Sequence, residues 1–332
     1  MKAIILEAAD QPFVLKEVTI PELSDDEVLV KVKASALNRR DYWISIGKYA
    51  GIKYPIILGS DGAGIVTKVG NGVNNEWLGK EIIINPGYDW GTNPAFQGKD
   101  FKILGLPDDG TFAEYVKVKA KCLFSKPTHL SFAQAAALPL AGLTAYRALF
   151  TKGKAKKGDK VLISGVGSGT GTFALQFAIS AGCHVYVTSG NEEKLQKAIE
   201  LGAKAGVNYN DPSWMDKLLS LNDGFDIIID SALGDGFVNF IDLANPGGRI
   251  VFFGGTAGNI PELNARKIFW KQLQILGTTM GTSEEFENML AFVNQYKIIP
   301  AVDCILPLAN ATEAINKMAE STQFGKIVLV DE

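Results

Sequence analysis

The segment from Val161 to Ala174 constrains the fold of this chain more than any other part of the sequence. It reads VLISGVGSGTGTFA, a short apolar run that meets four glycines at alternate positions and continues into a second apolar stretch. Glycines allow a tight turn, and backbone N–H groups at the start of a helix can approach an anion closely. The segment therefore predicts a strand, a phosphate-binding turn and a helix in direct succession.

After Lys160 the chain alternates apolar strands with helical segments, which is typical of an α/β fold. We predict helices at 172–181, 192–201, 213–219, 236–243 and 261–270. We predict strands at 161–164, 184–188, 206–209, 225–230, 250–254 and 273–278. Six strands with intervening helices are the components of a Rossmann-type, doubly wound parallel sheet that binds a dinucleotide.

The glycine-rich turn supplies the first candidates for cofactor binding. The form G-x-G-x-x-G/A is met only from Gly169 to Ala174, so the pairing of individual glycines with individual phosphates stays open. The candidates in the turn are Gly167, Ser168, Gly169, Thr170 and Gly171.

The residues after the second strand of this sheet bear on the choice of nicotinamide cofactor. Enzymes that use NAD place Asp or Glu about 20 residues beyond the turn, where the carboxylate binds the ribose 2′-hydroxyl. Here the strand leads into Ser189, Gly190 and Asn191, without a carboxylate. The hydroxyl of Ser189 and the ammonium of Lys194 suit a 2′-phosphate, although Lys194 could also be a solvated helix residue. The sequence therefore favours NADPH.

The first 120 residues or so have the pattern of a β-rich domain. Residues 28–34 alternate apolar and polar side chains, residues 58–72 contain five glycines around a short strand at 65–69, and residues 115–118 form another candidate strand. Near residue 125 the pattern becomes helical, beginning at a Ser131–Gln134 capping box. A second helix is predicted at 142–152.

The last part of the chain holds a helix after a Thr282–Glu285 capping box, a helix at 311–320 and a strand at 327–330. About 55 residues are too few to fold alone, so we expect them to complete the β-rich domain. The predicted domains are 1–123, 124–272 and 273–332, the first and last forming one discontinuous domain.

Composition excludes several other classes of protein. A net charge of −3 over 332 residues lacks the basic field that nucleic-acid binding requires. Three cysteines, far apart and odd in number, do not suggest a disulfide framework. We find no signal peptide and no apolar stretch of about 20 residues, so we expect a soluble, cytoplasmic protein that binds neither membranes nor nucleic acid.

Taken together, motifs along the whole chain resemble those of the medium-chain dehydrogenase/reductase superfamily. The resemblance implies a Rossmann domain and a discontinuous GroES-like β-barrel catalytic domain, with a homodimer or homotetramer as the assembly. The matching motifs, in chain order, are Asn38-Arg-Arg-Asp41, Gly59-Ser-Asp-Gly62-Ala-Gly64, Gly110-Thr-Phe-Ala113, Ala137-Leu-Pro139 with Gly142-Leu-Thr144, the turn Gly165–Gly171, Lys194 with Leu201-Gly202-Ala203, Gly247-Gly248-Arg249 and Gly325-Lys326.

The chain departs from the zinc enzymes of this superfamily at each place where they hold metal. Those enzymes carry Cys where this chain has Asn38, Gly-His-Glu where it has Gly59-Ser60-Asp61, and a third ligand near 139–142. Their structural zinc lobe has four cysteines, whereas residues 85–107 contain none. Since zinc requires converging Cys, His or carboxylate ligands, the resemblance is to the zinc-independent quinone oxidoreductase-like branch.

The absence of zinc ligands restricts the expected chemistry. A metal contributes several kcal/mol to stabilising an alkoxide, whereas a quinone or an α,β-unsaturated carbonyl compound delocalises the arriving charge itself. We therefore expect a quinone or enone as the small-molecule substrate. A zinc-type alcohol dehydrogenase homologue that acts on alcohols or aldehydes, and a non-enzymatic NADPH-binding sensor, remain as alternatives.

Resemblance to the superfamily also nominates catalytic residues. Asn38 and Asp41 match positions at the floor of the catalytic cleft, with loop-capping roles as the alternative. Tyr42 and Tyr49 could donate a proton or hydrogen bond, with packing in an aromatic core as the alternative. The adjacent arginines, Arg39 and Arg40, are more consistent with surface ion pairs than with binding of an acidic substrate.

The remaining cofactor candidates also come from resemblance and from their positions after strands. Thr144 is expected near the nicotinamide, Tyr209 near the adenosine, and the other residues along the crevice at the carboxyl ends of the strands. These other residues are Ser231, Gly254, Gly255 and Thr256, and resemblance alone nominates Lys326 as a weaker candidate.

Overall fold

The structure, a computed structural model, describes residues 1–331. Its first elements are β1 (Lys2–Leu6), β2 (Val14–Glu17), β3 (Glu27–Ala36), α1 (Arg39–Ser45), β4 (Ile56–Ile57), β5 (Asp61–Val69), β6 (Glu81–Ile84), β7 (Gly87–Tyr88), β8 (Lys102–Ile103), β9 (Tyr115–Lys119), β10 (Leu123–Ser125) and α2 (Phe132–Ala137). There follow α3 (Pro139–Tyr146), β11 (Lys160–Ile163), α4 (Gly169–Ser180), β12 (His184–Ser189), α5 (Glu192–Glu200), β13 (Ala205–Asn208), α6 (Trp214–Leu221), β14 (Phe225–Asp230), α7 (Asn239–Leu243), β15 (Ala244–Phe252), α8 (Ala265–Trp270) and β16 (Gln274–Gly277). The last elements are α9 (Ser283–Tyr296), β17 (Val302–Pro307), α10 (Ala311–Ala319) and β18 (Lys326–Val330).

Contacts divide the chain into two units. The first, here called the β unit, combines Met1–Ala141 with the chain from Gly281 onward. The second, here called the α/β unit, is Gly142–Met280.

In the β unit, the largest sheet has the strand order β10-β6-β5-β3-β18-β17. Strand β9 pairs with β3 at residues 27–31, the part of β3 that does not pair with β18. Strand β3 is central because its alternating pattern buries Val28, Val30 and Val32 against the apolar side chains of β5, β6 and β9. Strand β18 pairs antiparallel with β3, from Val328 opposite Ala36 to Val330 opposite Ala34. The C-terminal segment is therefore an integral part of this sheet.

The α/β unit contains a six-stranded parallel sheet in the order β13-β12-β11-β14-β15-β16. This order reverses beside β11, the strand that leads into the glycine-rich turn, as in a doubly wound nucleotide-binding sheet. The predicted α/β fold class, a Rossmann-type sheet with a GroES-like β domain, is confirmed.

The domain boundaries differ from those drawn on the sequence. The predicted boundary at 123/124 lies before α2, but α2 packs against β3, β5 and β18 and belongs to the β unit. The predicted boundary at 272/273 would separate β16 from the sheet, yet β16 pairs with β15 from Gln274 to Gly277. The structure places the two boundaries after Ala141 and after Met280.

Helix ends follow local capping. Helix α4 begins at Gly169, three residues before the predicted start, because Ser168 caps it and accepts a hydrogen bond from the Gly171 N–H. The helix predicted at 261–270 begins only at Ala265, after the Asn264 cap. Within residues 1–331, no helix is both long and apolar enough to cross a membrane.

Candidate functional site

Four charged side chains and one amide are buried together in the β unit. Arg40, Asp41, Asp61, Lys326 and Asn38 are all at most 8% exposed. Asn38 precedes α1, Arg40 and Asp41 lie in its first turn, and Asp61 and Lys326 begin β5 and β18. Two positive and two negative groups balance formally, as buried charges require. We call these five residues the buried ionic cluster.

Lys326 lies at the centre of the cluster. Its Nζ donates to Asn38 Oδ1 at 2.7 Å and to Asp61 Oδ2 at 2.9 Å. Asn38 Nδ2 donates to the same Asp61 oxygen at 2.9 Å, which closes a triangle of three hydrogen bonds. The second oxygen of Asp61, Oδ1, accepts from the Leu140 N–H at 2.8 Å. Both oxygens of this carboxylate therefore have protein partners.

Arg40 occupies the other side of the cluster. Its guanidinium donates to Ser60 Oγ at 2.7 Å, to the Leu104 carbonyl at 2.9 Å and to the Leu106 carbonyl at 3.3 Å. The Ser60 hydroxyl donates in turn to the Leu104 carbonyl at 2.7 Å. The expectation of a surface ion pair for Arg40 is wrong: the side chain is buried, and backbone carbonyls and a hydroxyl accept from its two terminal nitrogens, while its Nε has no hydrogen-bond partner among the described residues.

The donor set at this position does not fit a zinc ion. At the positions that correspond to the Cys and to the Gly-His-Glu segment of the superfamily's zinc enzymes, this chain has Asn38, Ser60 and Asp61: an amide, a hydroxyl and a carboxylate, without thiolate or imidazole. An ammonium already contacts Asn38 Oδ1 and Asp61 Oδ2, and the Ser60 hydroxyl is bonded to Arg40. Across residues 1–331, no group of three His, Cys, Asp or Glu side chains could hold a metal ion.

The structure brings three of the sequence-predicted residues of this region together: Asn38, Asp41 and Lys326. Asn38 is also the N-cap of α1, and its backbone N–H donates to Asp41 Oδ2 at 2.8 Å. Both residues therefore also have the capping role stated above as the alternative for them. Lys326, expected to bind the cofactor, has its ammonium within the cluster. Sequence reasoning did not identify Asp61 as part of a binding network, because its partner Lys326 is 265 residues away.

The two candidate tyrosines lie in different surroundings. Tyr42 packs against the apolar core beside the Trp43 ring, with the Arg39 guanidinium 5.9 Å from its ring centre. Tyr49 is 38% exposed, and the Arg40 guanidinium lies 5.3 Å from its ring centre. Tyr49 is therefore the tyrosine that combines exposure with contact to the buried ionic cluster.

In the α/β unit, the glycine-rich turn is anchored to the neighbouring strand. Gly165 has φ +64°, a conformation that favours glycine, and its N–H donates to Thr188 Oγ1 at 3.4 Å. The next N–H, of Val166, donates to the Thr188 carbonyl at 3.0 Å. The turn leads directly into the N-terminus of the twelve-residue helix α4, whose dipole and free N–H groups suit a phosphate. These residues fit a dinucleotide pyrophosphate.

Lys194 lies against this turn. A Cβ placed on Gly167 would be 2.6 Å from Lys194 Cδ and 3.3 Å from its Nζ, so the lysine side chain packs directly against this glycine. Ser189, at the end of β12, is buried, and its Oγ accepts from the Asn191 N–H at 3.2 Å. The nearby carboxylate of Glu192 accepts from Asn208 Nδ2 at 2.7 Å. A lysine side chain therefore adjoins the turn.

The other cofactor candidates of this unit lie at the carboxyl ends of the strands, with one exception. Tyr209 lies over Gly190, where an added Cβ would be 2.9 Å from the phenol oxygen. Ser231 and Gly254 adjoin each other, since a Cβ on Gly254 would be 2.6 Å from the Ser231 carbonyl oxygen. Gly255 and Thr256 follow in the next turn. The exception is Thr144, which is buried within α3.

Burial dominates the protonation of Asp41. The carboxyl is fully buried, which raises its pKa from 3.8 to about 6, although the Arg40 charge acts in the opposite direction. Its Oδ2 accepts one backbone hydrogen bond, and Oδ1 has no hydrogen-bond partner among the described residues. The neutral form of Asp41 is therefore favoured in the folded protein compared with the unfolded chain.

This shift predicts a pH-dependent contribution to stability. Because folding raises the pKa of Asp41, its contribution is greatest below about pH 4 and is lost as the pH rises to 6 and above. The free energy of unfolding of wild type minus that of Asp41→Asn should fall by about 3 kcal/mol over this range. Urea unfolding of both proteins between pH 4 and 7.5 measures the difference. The exposed-site variant Asp100→Asn is the control, and equal slopes for Asp41→Asn and wild type would contradict the account.

Comparisons with known proteins agree with the architecture. A model of zinc-binding dehydrogenases matches residues 169–295, and a model of the alcohol dehydrogenase GroES-like domain matches residues 24–128. The chain is 34% identical to a zinc-type alcohol dehydrogenase-like protein of Leptosphaeria maculans, over 96% of this chain and 94% of that protein. It is 30% identical to the quinone oxidoreductase of Rattus norvegicus, over 99% and 98% of the two chains.

Among solved structures, the chain superposes on one described as an NAD-dependent alcohol dehydrogenase with a TM-score of 0.95, 36% identity and full coverage of both chains. Relatives of both kinds, zinc-type and quinone oxidoreductase, match nearly the whole chain. The chain belongs to the medium-chain dehydrogenase/reductase superfamily of NAD(P)-dependent oxidoreductases.

Proposed function

We propose that this protein is an NADPH-dependent oxidoreductase that transfers hydride to quinones or α,β-unsaturated carbonyl compounds without zinc. The observation that carries the proposal is the bonding of the Lys326 ammonium to both Asn38 and Asp61. A cation held by the protein itself takes the ligand atoms that a metal would require there.

The chemistry of the acceptor follows from that arrangement. An oxygen that becomes negatively charged must be stabilised by hydrogen bonds and fixed charges when no metal contacts it. A quinone or enone spreads the charge over its conjugated system, so fewer protein groups are needed. The cluster offers the Asn38 amide and the Lys326 charge for that purpose, both almost fully excluded from water.

The residues of the α/β unit have separate tasks. When bound, the reduced nicotinamide supplies the hydride. The N-terminus of α4 and the turn from Gly167 to Gly171 bind the pyrophosphate. Ser189 and Lys194 bind the 2′-phosphate, which is why we favour NADPH: Lys194 lies against the turn, and Glu192 is held by Asn208.

A second candidate is oxidation of alcohols by a zinc-type enzyme. The similarity to proteins named as zinc-type or NAD-dependent alcohol dehydrogenases, at 34% and 36% identity, favours it. The ligand chemistry of Asn38, Ser60 and Asp61 disfavours it. A third candidate, a sensor that binds NADPH without turnover, has no specific observation in its favour.

The catalytic proposal is tested by turnover on a panel of acceptors. Oxidation of NADPH should occur with quinones and enones at the same rate, within twofold, after dialysis against a zinc chelator. Primary and secondary alcohols with NADP should give no turnover in parallel assays. Chelator-sensitive oxidation of alcohols would instead support the zinc-type enzyme, and tight NADPH binding without any turnover would support the sensor.

The cofactor preference is tested at Lys194. Loss of a charge-assisted hydrogen bond to phosphate costs about 1.5–3 kcal/mol, so Lys194→Ala should raise KM for NADPH roughly 10- to 100-fold. KM for NADH should change less than twofold. Lys197→Ala, an exposed lysine on the same helix, is the matched control and should change neither value. An equal rise in KM for NADPH and NADH in Lys194→Ala would contradict binding of the 2′-phosphate by Lys194.

We propose a homodimer or homotetramer as the assembly. The support within the described residues is the exposure of Phe269, 65%, and Trp270, 83%, at the end of α8. The strand that follows them, β16, is the last strand of its sheet. Exposed aromatic side chains beside an open strand edge are typical of an interface between subunits.

A further inference from the structure

We infer that Lys326 is a positioning residue, which fixes the Asn38 amide so that its Nδ2 group donates a hydrogen bond to the carbonyl oxygen of the acceptor. The inference rests on the proposed function, and it assigns Lys326 a task distinct from cofactor binding.

Two independent hydrogen bonds, one to Lys326 and one to Asp61, determine the orientation of the Asn38 amide. An ammonium has three donors and no acceptor, so the atom 2.7 Å from Lys326 Nζ must be the amide oxygen. On the other side, a carboxylate accepts hydrogen bonds only, so the atom 2.9 Å from Asp61 Oδ2 must be the amide nitrogen. A flipped amide would place donor against donor and acceptor against acceptor, and it would lose both bonds.

This orientation leaves one donor of the amide available. The Nδ2 group carries two hydrogens, and one of them is directed to Asp61 Oδ2. No hydrogen bond among the described residues uses the second. This second N–H is the donor that the side chain can offer to a substrate while Lys326 is bonded to the amide oxygen.

The ammonium also strengthens that donor. A cation bonded to the amide oxygen polarises the amide, and hydrogen bonds in series reinforce each other in a medium of low polarity. Asn38 and Lys326 are 6% and 3% exposed, so water screens this effect little. The positive charge lies one amide away from the oxygen to be stabilised.

The backbone is shaped to bring Lys326 to this position. Gly325 has φ +97°, and a Cβ there would be 2.2 Å from the Ala301 carbonyl oxygen. Only glycine is accommodated immediately before the lysine. The Lys326 N–H donates to the same carbonyl at 2.9 Å, which fixes the start of β18.

The step that uses the donor can be written in full for an enone. Hydride adds to the β-carbon, and the C=C electron pair moves to form a double bond between the α-carbon and the carbonyl carbon. The π pair of the carbonyl moves onto its oxygen, which becomes the negative oxygen of an enolate. Asn38 Nδ2–H donates to that oxygen as its charge develops. A proton from water then adds to the α-carbon, giving the saturated ketone and leaving hydroxide; the bound cofactor would supply the hydride and leave as NADP⁺. For a quinone the same donor stabilises the hydroquinone anion before it is protonated.

The test compares turnover of wild type with that of Lys326→Met, which keeps the length of the side chain and removes its charge. Deleting an oxyanion donor typically costs 10²–10³ in kcat, so losing only its orientation should lower kcat roughly 10- to 100-fold. KM for NADPH should change less than twofold. Lys317→Met, at a partly exposed lysine paired with Asp303 in the same unit, is the control and should retain full kcat.

Two further variants separate positioning from a purely structural role. In Lys326→Ala, ethylammonium chloride should restore kcat at least fivefold, whereas sodium chloride at equal ionic strength should not. In Asn38→Ala combined with Lys326→Ala, ethylammonium should have no effect, because the amide that it positions is gone. If Lys326→Met does not fold, since it leaves Asp61 without its cation, Lys326→Met with Asp61→Asn restores neutrality and takes its place.

Each outcome bears on the inference. Three results would overturn it: unchanged kcat in the Lys326 variants, rescue by ethylammonium that persists without Asn38, and a raised KM for NADPH with normal kcat. The last result would favour cofactor binding by Lys326. These results leave the proposed function standing. Absence of wild-type turnover on every quinone and enone would overturn both.

Discussion

The three hydrogen bonds among Lys326, Asn38 and Asp61 join parts of the chain that are far apart in sequence. They connect the start of the C-terminal strand β18 to the start of β5 and to the cap of α1. Burying these charges is unfavourable unless every partner is present, and removal of one partner of a buried pair typically costs about 3–5 kcal/mol. The same bonds therefore join distant segments of the β unit, and they involve two of the side chains at positions where zinc enzymes of the superfamily carry Cys and Gly-His-Glu.

The chemistry of the two units follows from different physical devices. In the α/β unit the backbone forms the candidate site: a glycine-rich turn, anchored at Gly165 to Thr188, leads into the N-terminus of a helix, an arrangement that suits a phosphate. The β unit uses side chains: two cations and two carboxylates are balanced in an environment almost free of water. The glycine-rich turn requires little beyond glycine at a few positions, whereas the buried ionic cluster requires each of its charged partners.

This contrast explains what could be predicted from the sequence. Four alternating glycines after an apolar run encode the turn locally, so the Rossmann sheet and its helices were predictable from one segment and the βα alternation after it. The triangle at Lys326 depends on residues up to 288 positions apart, and no local pattern reveals such a contact. Arg40 shows the same limit: its charge suggested the surface, but the carbonyls of Leu104 and Leu106 that bury it are 64 and 66 residues away. The boundary near Ala141 could not be predicted from local sequence either, because the packing of α2 on the β sheet depends on contacts with residues far away in the chain.

The central claim, that a lysine ammonium and not zinc occupies the position between Asn38 and Asp61, is tested most directly by anomalous diffraction. Crystals of the wild-type protein, grown with zinc in excess, would be measured on both sides of the zinc absorption edge. The account predicts no anomalous peak near these side chains and density for the Lys326 ammonium within hydrogen-bond distance of both. A zinc peak about 2.0–2.2 Å from Asp61 Oδ2, with Lys326 displaced, would contradict it.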